Sequence, residues 1–216
     1  MKFVDPTGQS TWVVYNPEAM NYTVVGGDLS DDSLNIYVVE KNENNEWVRT
    51  NDAPIGQTAT MYSFFDVDGI NIYGWQVGTV IDPIDYSGIL FLQQMSPDVG
   101  LAEYVSNART NHIWDFKVTN GVEGHLESPD IYRGMPISNG VYASARDVGN
   151  IAAGLVGGTN GLSWFSFRLG CDVYQTYEAS KRKKSFTPSL EGASTISAQR
   201  YGWEIGINRY LSREKK

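Results

Sequence analysis

Leu34-Asn35-Ile36-Tyr37-Val38-Val39, the polar turn Asn42-Glu43-Asn44-Asn45 and then Trp47-Val48 read as a β-hairpin. The first run alternates apolar and polar at its start and is rich in β-branched and aromatic residues, and the Asn-rich turn can reverse the chain. Working outward, Trp12-Val13-Val14-Tyr15 ends at Asn16-Pro17, and Tyr22-Thr23-Val24-Val25 ends at Gly26-Gly27-Asp28. Met61 to Phe65 and Ile70 to Trp75 flank Asp66-Val67-Asp68-Gly69, another hairpin signal. That tetrapeptide resembles part of a calcium loop but lacks the later acidic ligand, so it reads as a turn.

Beyond residue 84 the pattern changes. Asp85-Tyr86-Ser87 predicts a capped helix running to about Met95, and Val99 to Asn107 a second short helix. Residues 108 to 141 read as loop, with several Gly and Pro. Helices are predicted over Ala143 to Val156, Leu162 to Lys184 and Ser194 to Leu211, with Pro188 interrupting before the last. The second carries Phe165, Leu169, Val173 and Tyr177 at every fourth position, and the third carries Ile196, Trp203, Ile207 and Tyr210 on one stripe. The expected class is α+β: a strand-rich N-terminal half of antiparallel hairpins packed on a C-terminal helical part. Residues 12–216 form a single expected domain, β-rich over 12–80 and mainly helical over 85–216.

The formal net charge is -8 with a pI of about 4.7. Phosphate-binding proteins are usually basic, so the overall charge opposes nucleic-acid binding except through a local cationic site. The run Lys181-Arg182-Lys183-Lys184 reads as a solvated helix end whose cations complement the dipole. The single cysteine, Cys171, excludes an internal disulfide and reads as a buried thiol. Two histidines do not make a zinc site by themselves, and no run approaches a membrane span. The start has no apolar stretch of a secretion signal, so another carrier is expected to export the chain.

Met1-Lys2-Phe3-Val4-Asp5-Pro6-Thr7-Gly8 resembles the closing motif of the Rhs (YD-repeat) core, and residues 1–11 would be the remnant of that junction. Trp114-Asp115-Phe116-Lys117, followed by Asp147-Val148-Gly149-Asn150, Gly154 and Gly157-Gly158, is similar to the polymorphic-toxin type 44 group. Tyr132-Arg133-Gly134-Met135 and Ala143-Ser144-Ala145-Arg146-Asp147 are further segments shared with Rhs tips. Where type 44 members often carry paired glycines before the Trp-Asp segment, this chain has Thr110-Asn111-His112. The resemblance implies a toxin tip carried by the Rhs core shell as delivery scaffold, secreted and delivered into a target bacterium. It also implies a cognate immunity protein that blocks the site in the producing cell.

On a helix, Asp147, Asn150, Gly154 and Gly161 share one face, with Arg146 on its edge. Such a face would admit a backbone or a substrate; Asp147 would accept from Arg133 or Lys117, or serve as a capping residue. If extended, Asp115 and Lys117 point to one side and Trp114 and Phe116 to the other. That arrangement suits acid–base work, or equally a salt-bridged edge strand. His112 lies three residues before Asp115, and histidine is a residue type suited to acid–base work. Glu123 and His125 are weaker candidates, and Tyr174, Gln175 and Tyr177 could line the same cleft.

The expected catalytic set is His112, Asp115, Lys117, Arg146, Asp147 and Asn150, with Trp114, Arg133 and Gln175 binding substrate. No cofactor or metal is expected. The favoured activity is a metal-independent ribonuclease acting on RNA as a monomer in the target cytoplasm, with no membrane partner. The alternatives are a cell-wall hydrolase using paired carboxylates and a non-enzymatic effector. All enzymatic readings require the charged pair after Trp114 and the Arg146–Asn150 helix end to share one cleft.

Overall fold

The computed structural model describes residues 9–68, 71–95, 99–109, 111–120, 132–184 and 190–215. The fold is α+β, strand-rich in the N-terminal half and helical in the C-terminal part. The Rhs-like residues 1–8, Glu123, His125 and Pro188 lie outside the described residues.

Strands β1 (Ser10–Asn16) and β2 (Asn21–Asp28) form an antiparallel hairpin. The side chain of Asn16 accepts from the amides of Glu18 and Ala19 at 3.1 and 3.2 Å and so shapes the Pro17 turn. Strands β3 (Asn35–Lys41) and β4 (Trp47–Arg49) form the hairpin read from Leu34–Val48. There Asn42 accepts from the amides of Asn44 and Glu46, both at 2.9 Å, and Asn45 takes φ +64°.

Pairing then departs from simple hairpins. With β5 (Gly56–Thr58), β8 (Val80–Ile81), β9 (Gly134–Ser138) and β10 (Val141–Ser144), the order β1-β2-β8-β9-β10-β5-β3 returns to β1 through a parallel β1–β3 pairing. Seven strands therefore close on themselves, with β10–β5 and β8–β9 also parallel. Val13, Val24, Ile36, Phe64 and Ile81 form the core of this ring. A Cβ on Gly134 would lie 2.6 Å from the Phe64 ring and 2.8 Å from Ile81, so the β8–β9 contact requires glycine there.

Two sequence expectations are corrected here. The segment 134–144 was read as loop except at its end, yet it supplies the β9–β10 hairpin. Residues 61–64 are turn, whereas Asp66 and Asp68 belong to β6 (Phe65–Asp68), which pairs with β7 (Asn71–Trp75).

Helices α1 (Ser87–Gln94) and α2 (Leu101–Asn107) fall where expected. Strand β10 runs directly into α4 (Ala145–Thr159); the Ser144 hydroxyl caps it by accepting from the Asp147 amide at 3.3 Å, a cap that stabilises by about 1 kcal/mol. Helix α6 (Ala193–Glu214) packs on α4 backbone to backbone. A Cβ on Gly154 would sit 1.9 Å from the Gln199 carbonyl oxygen, and one on Gly202 would sit 1.9 Å from that of Ile151. The glycine face of α4 thus receives a second helix, not a substrate. The buried face of α6 is Ser194, Ala198, Gln199, Gly202 and Gly206, a row of mostly small residues distinct from the aromatic stripe. Helix α5 (Trp164–Lys183) is the outlier: Phe165, Leu169, Val173 and Tyr177 are all exposed, by 75, 54, 60 and 59%.

Candidate functional site: a cleft between the short helices and α5

Trp114 and Phe116 are the anchors of the charged segment. Trp114 is buried and stacks on Tyr104 at 6.0 Å; Phe116 is buried against Phe91 at 4.6 Å. The segment is not extended. Asp115 precedes a one-turn helix, α3 (Phe116–Thr119), and accepts the amide protons of Val118 and Thr119 on its carbonyl oxygen, both at 3.0 Å. The expected edge strand is therefore replaced by a turn, because local i, i+3 and i, i+4 bonds satisfy these amides without a partner strand. Asp115 is buried, and one carboxylate oxygen accepts the Asn111 amide at 3.0 Å. Lys117 is exposed, and its ammonium has no hydrogen bond or ion pair with another described residue.

These two side chains open on a cleft of about 880 Å³. Its floor is α4, which contributes Gly149, Asn150 and Ala153; its far wall is α5, which contributes Cys171, Tyr174, Gln175 and Glu178. Arg109, at the end of α2, and Arg146 also line it. Tyr104 pins α2 to α4 by donating its hydroxyl proton to the Gly149 carbonyl at 3.1 Å; burial raises its pKa well above the ordinary tyrosine range, with Cys171 and Asp115 adding to the effect.

The sequence-derived residues therefore divide. Asp115, Lys117, Asn150, Trp114, Gln175 and Arg146 share the cleft. Asp147, Arg133 and His112 do not line it. Asp147 is completely buried: one oxygen accepts Arg146 Nε at 3.0 Å and the other accepts the Thr60 hydroxyl at 3.4 Å. Its partner is the adjacent arginine, not Arg133 or Lys117. Arg146 is held in turn, donating to the carbonyl oxygens of Tyr62 at 2.8 Å and Phe65 at 3.3 Å. The pair fastens the 60–65 turn to the start of α4 and positions Asn150 one turn later. Arg133 is ion-paired with Asp85 at 3.0 Å and donates to the Asn120 carbonyl. His112 is exposed outside the cleft.

Sequence reasoning missed Arg109 and Glu178. Cys171, Tyr174, Gln175 and Glu178 follow i, i+3, i+4, i+7, the signature of one helix face. That signal is legible, but the apolar row at 165, 169, 173 and 177 competes with it. Tyr174 lies within electrostatic reach of both walls: its pKa is raised by partial burial and by Glu178, while Arg109 opposes the rise. The Cys171 thiol is pushed up to about 12 by burial, with Glu191 adding to this and Arg168 opposing it. It stays protonated at neutral pH and is no nucleophile there. Arg168 binds Asp172 at 2.5 Å together with Glu191 and Gln199, and the last two line the cleft.

Among the described residues no group of three His, Cys, Asp or Glu side chains converges to hold a metal ion. No described helix is long and apolar enough to cross a membrane. No family model, curated protein or solved structure matches this chain.

Proposed function

We propose that this chain is the toxic C-terminal domain of an Rhs-type polymorphic toxin and cleaves RNA in the cytoplasm of a target bacterium without a metal ion. The observation that carries the reading is the convergence of Asp115, Lys117 and Asn150 in one open cleft, with Arg109 on its margin. Asp115 takes the proton of a ribose 2′-hydroxyl as that oxygen attacks phosphorus. The new O2′–P bond forms, the P–O5′ bond breaks, and the 5′-oxygen takes a proton from water in the cleft. The Lys117 ammonium and the Arg109 guanidinium stabilise the charge that builds on the phosphoryl oxygens. Asn150 supplies a neutral donor and acceptor to orient the ribose. Arg146 acts as a positioning residue, because it is held by Asp147 and by the carbonyl oxygens of Tyr62 and Phe65.

The motifs at Met1–Gly8, Trp114–Lys117 and Ala143–Asn150 support the toxin assignment. With it come the Rhs shell as carrier, a monomeric tip and a cognate immunity protein in the producing cell. A net charge of -8 makes RNA affinity depend on the few cleft cations, so binding should weaken with salt with the shallow slope of a few phosphate contacts.

One observation favours a second reading. Asp115 and Glu178 both line the cleft, and a carboxylate pair suits glycoside hydrolysis of the cell wall. Incubation of the purified chain with total RNA and, in parallel, with sacculi separates the two. Degraded RNA is expected, with Asp115→Asn and Lys117→Ala each slowing cleavage by roughly 10²-fold or more. Intact RNA at high dose with sugar fragments released from sacculi rejects the ribonuclease reading in favour of the hydrolase.

A further inference from the structure

The far wall of the cleft holds more than a catalytic pair needs. Tyr174, Gln175 and Glu178 sit within one turn of α5 and all face the cleft. Tyr174 and Glu178 are four residues apart and Gln175 and Glu178 three, so their side chains are surface neighbours. Arg109 approaches the same place from α2. None of these four side chains makes a hydrogen bond or ion pair with another described residue. A half-buried glutamate and glutamine and an exposed arginine, beside a partly exposed aromatic ring, form a polar site that is unpartnered among the described residues.

We propose that Tyr174, Gln175, Glu178 and Arg109 form a guanine-nucleotide subsite, so that the chain selects RNA at guanosine. The inference rests on the ribonuclease reading and names its substrate preference.

Hydrogen-bond complementarity selects the base. An ionised carboxylate offers acceptors only. Guanine presents two adjacent donors on its Watson–Crick edge, N1–H and the N2 amino group, which match the two oxygens of Glu178. Its O6 accepts from the Gln175 amide. Adenine and cytosine each pair one amino donor with a ring-nitrogen acceptor, and that lone pair faces the carboxylate. Uracil offers a single N3–H between two carbonyls. The Tyr174 ring supplies the stacking surface on which an unpaired base is held, as in single-stranded RNA recognition. Arg109 supplies a fork of donors for the adjoining phosphate. A cleft of about 880 Å³, lined also by Asp115 and Lys117, has the volume for one nucleotide on this wall and its adjoining phosphate.

Calorimetric titration of the whole chain with 5′-GMP, 5′-IMP, 5′-AMP, 5′-CMP and 5′-UMP tests this. GMP is expected to bind at least about tenfold more tightly than the other four, since each of those leaves a hydrogen-bonding group of Glu178 or Gln175 unmatched. IMP is the informative comparison, because it lacks only the N2 amino group. Glu178→Gln, with its fold checked by thermal melting, should abolish the GMP preference; Tyr174→Phe should retain it and Tyr174→Ala should weaken every nucleotide. Equal binding of all five, no binding at millimolar nucleotide, or an undiminished preference in Glu178→Gln would overturn the subsite. Cleavage of RNAs with and without guanosine is scored separately. Selective GMP binding with uncut RNA sinks the ribonuclease reading and leaves the subsite standing, whereas cleavage at every base without GMP preference sinks the subsite alone.

Discussion

Two acid–base pairs that look alike in sequence meet opposite fates in this molecule. Arg146-Asp147 and Asp115-Phe116-Lys117 each place a cation within two residues of a carboxylate beside apolar neighbours. The first is sealed: Asp147 has no solvent access, and its arginine spends its remaining contacts on two backbone carbonyls. The second is open: Asp115 lines a cleft, and Lys117 on the next turn has no described partner. A buried charged pair held by neighbouring partners fixes structure. One with unused bonding capacity at a cavity is available for chemistry. The difference arises from what precedes each pair. Ser144 ends a strand and caps a long helix, so Asp147 enters the interior at the first turn of α4. Asn111, with φ +64°, reverses the chain ahead of Asp115, whose buried carboxylate borders the cleft at the start of a one-turn helix.

The largest effect that would break this contrast is on stability. Asp147→Ala strands a half-buried arginine without its carboxylate and should cost roughly 3–5 kcal/mol, seen as a fall in the urea midpoint. Asp147→Asn keeps the Thr60 contact and should cost less. If instead Asp147→Asn melts like the parent and loses all activity, Asp147 is part of the chemistry and the contrast is inverted.

A second test concerns a cleft residue that the fold keeps silent. Cys171 faces the cleft with its thiol pushed up from 9.0 to about 12. At pH 8 its thiolate fraction, and with it alkylation by iodoacetamide, should be lower than in the unfolded chain by about a thousandfold. The sign of the linkage follows. Between pH 9 and about 12 the unfolded thiol ionises while the folded one does not, so this contribution is complete below pH 9 and is lost as pH climbs through that window. Rapid alkylation of the native chain at pH 8 would mean that Cys171 is as available as Lys117.

Much of this was legible in the sequence. Strand runs ended by Asn-Pro, Gly-Gly and Asn-rich turns identified the first two hairpins, cap and breaker residues located α1 and α2, and helical spacing located α4, α5 and α6. The β9–β10 hairpin was hidden because Gly134, Pro136 and Gly140 are loop residues by composition, whereas Gly134 is required by the Phe64 ring behind it. Parallel closure of the ring was also hidden, since register between distant strands leaves no local mark. The cleft was half legible: Asp115, Lys117 and Asn150 were found by spacing. Asp147 was misassigned because spacing reports a shared helix face but not whether that face meets solvent or a turn eighty residues away. Arg109 and Glu178 belong to no motif and become neighbours of the site only through the packing of α2 and α5.

The same limit explains α5, and the smallest prediction tests it. Phe165, Leu169, Val173 and Tyr177 have the periodicity of a buried stripe, yet the cleft-lining face, Cys171, Tyr174, Gln175 and Glu178, lies on the opposite side of the helix. Periodicity gives the existence of an apolar face and is silent on whether anything covers it. Trp164, packed on Trp203 at 5.7 Å, and Phe167, set against Gly157, hold the N-terminal end of α5 to the body. The apolar row adds nothing to that attachment. Leu169→Asp and Val173→Asp should therefore shift stability by no more than about 0.5 kcal/mol, the range of ordinary surface changes, whereas Phe167→Asp should be severely destabilising. A loss of several kcal/mol in Leu169→Asp, measured by urea melts of the isolated chain, would place this row in a core and turn α5 over, taking Tyr174 and Glu178 out of the cleft with it.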